Sequence, residues 1–462
     1  MGTIERAVVI GGSITGLGAA ATLATHARDV VVVERRTVED GGSTAPQGHL
    51  PHVMLVAGNR VLEDLFPGFA SGLLGSGAHD GGSDPERLPC YWRAAGTLRE
   101  HLRLPDLGFP RALCSRALVE TRLRTATLAL PNVTRVDGSV AGLDLVDGTG
   151  RTPRVAGVRL RGVTSPLGAD LVVDASGRST KAGDWLAAAG LPEPRTTEVV
   201  VDLRYPAFFV ERRPDDLGGA AFAVIQNTPD LPRIGVALPM EGGRWQVVLG
   251  GYFGDAAPTD PDGAREFARS LADPTLTALL ERPCLAEPAR YTFRSSRRRY
   301  WEKLAQHPPG LCVLGDAVAS FNPIYGQGMS SALLQVEALG AALALHGSGP
   351  RLGPAVARGA AKVVDNPWRT ATGADFLSAA TSGRRPPGNS LVNRYIERVT
   401  RAAAADETVN AAFTGVQQLL ASPPSLFRPG VVARALRYGA PVRDSQPRVG
   451  QPTDRAGRPS AA

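Results

Sequence analysis

Apolar and polar residues near the start of the chain alternate in blocks that predict a βαβ unit. An apolar run at 7–10 precedes a glycine-rich turn at 11–16, an Ala/Leu-rich helical segment at 17–25 and a second apolar run at 30–33. Short apolar runs bounded by turn residues are typical of strands that are buried on both faces of a parallel sheet. We therefore expect a mononucleotide-binding α/β unit of about 30 residues here.

The pattern changes between about 193 and 296, where short strands alternate with turn signals. Strands are predicted at 199–205, 208–210, 220–225, 233–238 and 245–252, and residues 241–244 (EGGR) are suited to a hairpin turn. Such a pattern indicates a separate, mostly antiparallel sheet. An apolar strand at 311–314 then leads through a Pro- and Gly-rich turn into a long Ala/Leu helix.

The composition narrows the classes of function. Hydrophobic residues make up 43% of the 462 residues and charged residues 21%, as in ordinary globular proteins. The net charge is +7, but the basic residues form no stripe, so no nucleic-acid partner is expected. The four cysteines have no metal-ligand spacing, so we expect no metal site. No apolar run has spanning length and no secretory pattern opens the chain, which predicts a cytoplasmic protein without a membrane span.

The first chemical signature is a Gly-x-Ser-x-x-Gly turn between the first strand and helix. The outer glycines permit the tight turn and close helix–strand packing, and the helix N-terminus can face a pyrophosphate. Glu34 ends the second strand, 23 residues after Gly11, where it can accept both hydroxyls of an unphosphorylated ribose. The alternative is a glycine turn in an ordinary α/β protein. The cofactor-binding residues expected here are Gly11, Gly12, Ser13, Gly16, Glu34 and Arg35.

A second signature lies some 300 residues later, at Gly315 and Asp316. An aspartate at a strand end can bind ribityl hydroxyls, or it can cap the next turn. Glycines at 326 and 328 leave the next helix N-terminus unshielded, so its positive end can face negative charge on a reduced flavin. Two nucleotide signatures this far apart suggest one long ligand that is held at both ends, and FAD is such a ligand.

Six segments resemble a known family. In order along the chain they are VVIGGSITGLGAA, VVVERR, APQGHLPHVML, SRALVETRL, VVDASGRSTKAGDWL and VLGDAVASFNPIYGQGMSSALLQVEAL. Over roughly residues 5–440 the chain resembles the FAD-dependent monooxygenases of the 2-polyprenyl-6-methoxyphenol hydroxylase-like group. Within that group it is most similar to the actinobacterial branch that contains the polyene and polyether-type epoxidases.

The resemblance implies an α/β fold in several parts. A discontinuous Rossmann-like FAD-binding domain would comprise residues 1–192 and 297–350. A mostly antiparallel substrate domain would be inserted at 193–296, and a helical region would follow at 351–440. We expect the polar, Pro- and Gly-containing residues 441–462 to form a disordered tail.

The resemblance also implies roles for residues outside the two signatures. Arg116 would lie near the cofactor, although a surface arginine on an amphipathic helix is the alternative. Asp174 would be a second flavin-side acid, or it would only stabilise the turn through Gly177. Asp316 would bind the ribitol and diphosphate. The loop with Gln47 and His52 would pass near the flavin, with His52 alone more typical of loop packing; the residues expected to line the isoalloxazine are Pro323, Gly326, Gln327, Gly328 and Met329.

The chemistry that the resemblance implies is oxygen insertion. FAD would be reduced by NAD(P)H, directly or through a partner flavin reductase, and would react with O2 to give a C4a-hydroperoxide that epoxidises an alkene. A lipophilic small molecule such as a polyketide or terpenoid is the expected substrate. The walls of the substrate site would come from the second sheet, and the residues expected there are Tyr205, Phe208, Phe209, Phe222, Val224, Trp245 and Tyr252. For at least half of them the alternative is packing within the sheet itself.

Three other functions stay open at the level of sequence. One is hydroxylation of a phenol, indole or quinone-like ring, which benefits from a base. Residues 193–296 contain no histidine, which favours epoxidation modestly. Another is reduction of a double bond, as in flavin-dependent geranylgeranyl reductases, and the last is a non-enzymatic flavin-binding role.

Overall fold

The computed structural model describes residues 4–36, 53–148 and 152–440. The strands, in chain order, are β1 Ile4–Ile10, β2 Ala27–Glu34, β3 His79–Asp80, β4 Arg87–Ala94, β5 Thr97–Arg103, β6 Ala112–Leu113, β7 Val133–Asp137, β8 Val140–Val146, β9 Arg154–Leu160, β10 Leu167–Gly168, β11 Leu171–Asp174, β12 Thr196–Glu211, β13 Ala223–Ile225, β14 Arg233–Met240, β15 Arg244–Gly251, β16 Ala289–Arg299, β17 Leu311–Val313, β18 Ala319–Ser320 and β19 Ser382–Gly383. The α-helices are α1 Ile14–Leu23, α2 Val56–Leu65, α3 Phe69–Gly75, α4 Arg116–Leu128, α5 Ala182–Ala188, α6 Pro261–Arg269, α7 Gly328–His346, α8 Leu352–Asp375, α9 Asn389–Ala403, α10 Glu407–Gln417 and α11 Pro429–Tyr438.

Five strands form a parallel sheet in the order β17-β11-β1-β2-β7. Side chains alternate between its two faces. Ala7 and Val9 pack against α1 and α7, whereas Val8 and Ile10 pack against β8, β9 and α8. Both faces are covered, which explains why the strands are continuous apolar runs. The predicted Rossmann-like α/β architecture is confirmed, and the carboxyl ends of β1, β2, β11 and β17 meet at one edge.

Helix α7 crosses the interior of this domain. Its 19 residues are long and apolar enough to span a membrane by length and composition, and no other helix in the described ranges meets that test. Leu333, Val336 and Leu339 are nevertheless fully buried against the parallel sheet and α1. The apolar character of α7 is therefore that of a core helix.

A second, largely antiparallel sheet stands beside the first. Its strands run in the order β18-β16-β12-β15-β14-β13-β4-β5, and β19 pairs with β12. One face packs against α6 and the 3-10 helix at Thr275–Glu281, in a cluster that includes Phe208 and Trp245. The opposite face looks towards the turn that precedes α7, because Ile324 packs among its side chains. This second face is called the inner face below.

The second sheet extends beyond the predicted range 193–296. Strands β4 and β5 come from residues 87–103, and β4 pairs in parallel with β13. The strands predicted at 199–205 and 208–210 form a single strand, β12, of 16 residues. It continues through Pro206 because β16 pairs with residues on both sides of that proline.

The helices α9, α10 and α11 form a small core of their own at the C-terminal end, as the sequence predicted for a helical region. Helix α10 lies on the edge strand β5. The Arg99 guanidinium donates to Gln417 Oε1 at 2.9 Å, and the Arg103 N–H donates to Asn410 Oδ1 at 3.0 Å. Edge-strand backbone groups are thereby covered rather than left open to another chain.

Candidate functional site

The turn between β1 and α1 is fixed by two glycines. Gly11 has a φ of +103°, which side chains rarely adopt. A Cβ at Gly16 would lie 1.8 Å from the Gly11 carbonyl oxygen. The helix therefore approaches the strand more closely than any other residue type permits, and the first N–H groups of α1 point out of the sheet edge.

Glu34 closes this turn from the neighbouring strand. It is 6% exposed, and its carboxylate accepts from the Gly12 N–H at 2.7 Å and from the Arg36 N–H at 2.9 Å. Arg35 has an exposed side chain. The Glu34 carboxylate thus stabilises the glycine turn through the Gly12 N–H, and its remaining lone pairs can accept hydrogen bonds from ribose hydroxyls.

Ser13 belongs to a buried polar network that the sequence reasoning missed in part. The Arg116 guanidinium donates to Ser13 Oγ at 2.9 Å, and Ser13 Oγ donates to Glu120 Oε2 at 2.9 Å. Glu120 is fully buried and also pairs with Arg124 at 2.9 Å. Arg116 is 8% exposed, so it is not a surface arginine. The i, i+4 spacing of 116, 120 and 124 on one predicted helix was a signal that could have identified the network.

Asp174 ends β11 at the same sheet edge and is fully buried. Its Oδ1 accepts from the Ser176 N–H at 2.9 Å and from the Ser176 hydroxyl at 2.6 Å, and the Thr180 hydroxyl donates to Oδ2. These contacts stabilise the turn through Gly177, which was the alternative role. Direct contact of Asp174 with a cofactor stays a prediction.

Asp316 has a different environment. Gly315 has a φ of +67°, and its N–H donates to the buried Gln335 Oε1 at 2.9 Å. The half-buried Asp316 carboxylate accepts no hydrogen bond from the described residues. Burial raises its pKa, and the guanidinium groups of Arg116 and Arg178 oppose that rise. A carboxylate that lies near guanidinium groups and accepts no hydrogen bond from a described residue is suited to accept hydroxyl groups of a ligand.

The turn at 322–327 follows and leads into α7. Gly326 has a φ of +65°, a left-handed conformation that ends the short helix Pro323–Tyr325. In the part of the chain that the structure describes, the N–H groups of Gly328 and Met329 find no acceptor. The Met329 side chain packs into the core, so residue 329 presents its backbone to this edge. Gln327 is 6% exposed, and its buried Oε1 has no hydrogen-bond partner among the described residues.

Comparison with known proteins identifies the family to which this chain belongs. The profile of the family described as FAD binding domain matches residues 5–352. The chain belongs to the FAD-binding domain family. Protein Rv3254 of Mycobacterium tuberculosis (strain ATCC 25618 / H37Rv) is 32% identical over 412 residues, which cover 85% of each chain.

Solved structures of oxygenases share the fold of this FAD-binding protein. One is p-nitrophenol 4-monooxygenase PnpA from Pseudomonas putida DLL-E4, with a TM-score of 0.62 and 18% identity over 92% of this chain and 100% of that chain. Another is 2-methyl-3-hydroxypyridine-5-carboxylic acid oxygenase, with a TM-score of 0.58 and 18% identity over 86% of this chain and 93% of that chain. At this level of identity the likeness establishes the fold.

The residues at this sheet edge fit FAD. The β1–α1 turn offers free N–H groups and glycines for the pyrophosphate, and Glu34 offers an acceptor for the adenosine ribose. Within the described residues Gln327 Oε1 is buried without a partner, and no hydrogen bond reaches the Asp316 carboxylate; a flavin with its ribityl chain would supply partners for both. FAD is therefore the cofactor, while the part of each residue in holding it stays a prediction. Gln47 and His52 lie outside the described residues.

The second sheet divides the seven predicted wall residues between its faces. Tyr205 and Tyr252 are buried on the inner face, in the cluster that contains Ile324. Ile324 belongs to the turn at 322–327, which is called the flavin-side turn below because the resemblance predicts that it lines the flavin. Phe222 and Val224 belong to an adjoining inner-face cluster. Phe209 follows Tyr205 by four residues along β12, so its side chain lies on the same face of the sheet. Phe208 and Trp245 lie on the outer face, together with Phe267 of α6.

Packing within the sheet, the alternative left open by the sequence, accounts for the two outer-face residues. Trp245 is fully buried, and its indole N–H donates to Asp216 Oδ2 at 2.8 Å. Other apolar side chains that the sequence reasoning did not select share the inner face: Leu88, Trp92, Val236, Leu238 and Val248. The role of the inner face as a substrate wall stays a prediction.

Proposed function

We propose that this protein is an FAD-dependent monooxygenase that transfers one oxygen atom from O2 to an alkene of a lipophilic small molecule and so forms an epoxide. NAD(P)H, directly or through a flavin reductase, supplies the electrons. The activity proposed is that of the polyene and polyether-type epoxidases, and a polyketide or terpenoid is the class of substrate.

One observation carries the proposal: apolar and aromatic side chains of the inner face pack directly against Ile324 of the flavin-side turn. Ile324, between Pro323 and Tyr325, packs in one cluster with Tyr205, Tyr252 and Phe293. The wall continues through Val236 into the cluster around Phe222. A surface of this kind binds apolar molecules and excludes water.

Within this scheme FAD, when bound and reduced, supplies the O2 activation. The chain's own residues bind and orient the substrate and exclude water from the site. The unshielded N-terminus of α7 favours negative charge at the flavin-side turn. Tyr205 and Tyr252 have pKa values raised by burial, so their hydroxyls stay neutral at ordinary pH and act as hydrogen-bonding groups.

Aromatic hydroxylation is the second candidate, and two observations favour it. PnpA and 2-methyl-3-hydroxypyridine-5-carboxylic acid oxygenase, which share the fold, are named for ring substrates. The structure also brings a buried carboxyl, Asp375, against the flavin-side turn and near Tyr252. The sequence of the second sheet had offered no such titratable group for a phenol.

Product analysis with 18O2 separates these functions. The FAD-loaded protein is supplied with NADH or NADPH, with and without a flavin reductase, and with matched lipophilic alkenes and phenols. The proposal predicts alkene products that gain one labelled oxygen. Turnover of phenols alone would replace it with the second candidate, and product formation without O2 would show a double-bond reductase.

A matched pair of variants tests the inner face as the substrate wall. Val236 and Val247 occupy adjacent strands but opposite faces. Val236→Ala should alter KM and the distribution of products among alkenes of different width while the protein stays stable. Val247→Ala makes the same truncation on the opposite face of the sheet, in the cluster that contains Trp245. It should lower the free energy of unfolding by about 1–3 kcal/mol and leave the product pattern unchanged. Equal product patterns in both variants would place the substrate elsewhere.

A further inference from the structure

A buried carboxyl group that neither signature contains lies directly behind the flavin-side turn. Asp375 ends α8 and is 6% exposed. Its Oδ1 accepts from Asn322 Nδ2 at 2.8 Å and from the Tyr325 hydroxyl at 3.2 Å. Its Oδ2 is buried and finds no partner within the described residues. Both donors belong to the turn whose other side is expected to meet the flavin.

Among residues 4–36, 53–148 and 152–440 no cation is paired with this carboxyl group. Tyr252 of the second sheet and Tyr325 of the turn are the titratable groups that face it, and burial raises the pKa of both. On the side of α9, Asn389 donates to the Gly373 carbonyl at 3.1 Å and is neutral. Arg385 is the charged group on this side, and its guanidinium donates to the Phe376 carbonyl at 3.0 Å.

The environment of Asp375 sets its titration range. Desolvation raises its pKa to about 7, and the hydrogen bonds from Asn322 and Tyr325 limit that rise. The folded pKa exceeds the unfolded value of about 3.9, so the stability that the protonated group provides is lost as pH rises towards 7. The ionised form in turn accepts the stronger, charge-assisted bonds from the turn.

We propose that Asp375 is a positioning residue whose proton determines how firmly the turn at 322–327 is held against FAD. The ionised carboxylate accepts hydrogen bonds from Asn322 and Tyr325 and so fixes both ends of the segment that contains Pro323 and Ile324. Protonation weakens these two bonds and lets the turn relax away from the cofactor. The inference rests on FAD binding and not on the reaction, so it survives a change of substrate class.

The test is the FAD dissociation constant of the full-length protein, measured by titration with FAD between pH 5.5 and 8.5. Wild type should bind FAD about tenfold more tightly above an inflection near pH 7, the effect of one charge-assisted hydrogen bond. Asp375→Asn should bind FAD at the weaker level throughout and lack the inflection. Persistence of the inflection in Asp375→Asn would assign it to another group, such as Asp316, and overturn the proposal.

A second variant keeps the carboxyl group and moves its titration. Tyr325→Phe removes one donor to the ionised form, so the inflection should move to higher pH; an unmoved inflection would contradict the proposal even if Asp375→Asn failed to fold. Asp365→Asn, a change on the exposed side of the same helix, is the matched control and should leave the profile as in wild type. Failure of the wild-type protein to bind FAD at any pH would instead refute the cofactor on which the proposed function depends.

Discussion

Replacement of Gly16 by alanine tests the pyrophosphate turn most directly. The added Cβ would lie 1.8 Å from the Gly11 carbonyl oxygen and 2.9 Å from its carbon. Both atoms are backbone, so no side chain can rotate away, and the turn or α1 must move by more than an ångström. Overpacking of this kind costs about 1–3 kcal/mol. If the substitution destabilises the FAD complex by about 2–3 kcal/mol more than the free protein, the dissociation constant for FAD rises about 30- to 150-fold.

Gly18→Ala is the control for this prediction. Gly18 lies on the same helix, but its Cβ would meet only the Leu333 and Val336 side chains, at 3.3 and 3.4 Å. Alanine in a helix interior is also better than glycine by about 0.5–1 kcal/mol. Titration of both purified variants with FAD, together with thermal unfolding without FAD, separates lost affinity from lost stability. If Gly16→Ala bound FAD as tightly as Gly18→Ala, close helix–strand contact would not be a requirement of the site.

Three further outcomes are expected. Glu34→Gln removes the charge from the bonds to the Gly12 turn and should weaken FAD binding about tenfold or more, as measured by titration. Asp316→Asn should also weaken FAD binding with little change in the melting temperature, because no described residue donates a hydrogen bond to its carboxylate. Asp216→Asn should lower stability in denaturant by about 3–5 kcal/mol because Arg282 would lose its buried partner. Since the pKa of Asp216 is lowered to about 2, wild-type stability from this pair should be lost as pH falls from about 4 towards 2.

The FAD-binding half of the fold was predictable because its signals are local. Apolar runs, the turn at 11–16 and the acid at 34 occupy one stretch of chain, and their spacing is dictated by the βαβ geometry. The family match over residues 5–352 confirms the cofactor that two distant signatures suggested. For the second sheet the strands β12 to β15 were predicted, but β16 was missed. Strands β4 and β5 were not assigned to the sheet, because pairing between residues 91 and 223 leaves no periodic trace in either segment.

Side-chain partners across long separations were beyond the sequence for a similar reason. Asp375 meets Asn322 across 53 residues, and Ser13 meets Glu120 across 107. An aspartate near the end of a predicted helix looks like any solvated residue until the packing of α8 behind the flavin-side turn is known. Alternation does predict that neighbours along a strand face opposite ways, but it does not say which face meets the cofactor.

By itself, then, the sequence determined the parallel sheet, the glycine turn, the helix after the second signature and the ligand that such a pair can hold. These depend on interactions within a few residues or on backbone geometry that only glycine allows. The tertiary structure decided which face of the second sheet meets the turn at 322–327. It placed Tyr205 and Tyr252 on that face and Phe208 and Trp245 on the opposite one, and it buried Asp375 against the turn. Those outcomes depend on how sheets and helices pack against one another. Burial raises the pKa of a carboxyl group such as Asp375 only when this packing removes it from water.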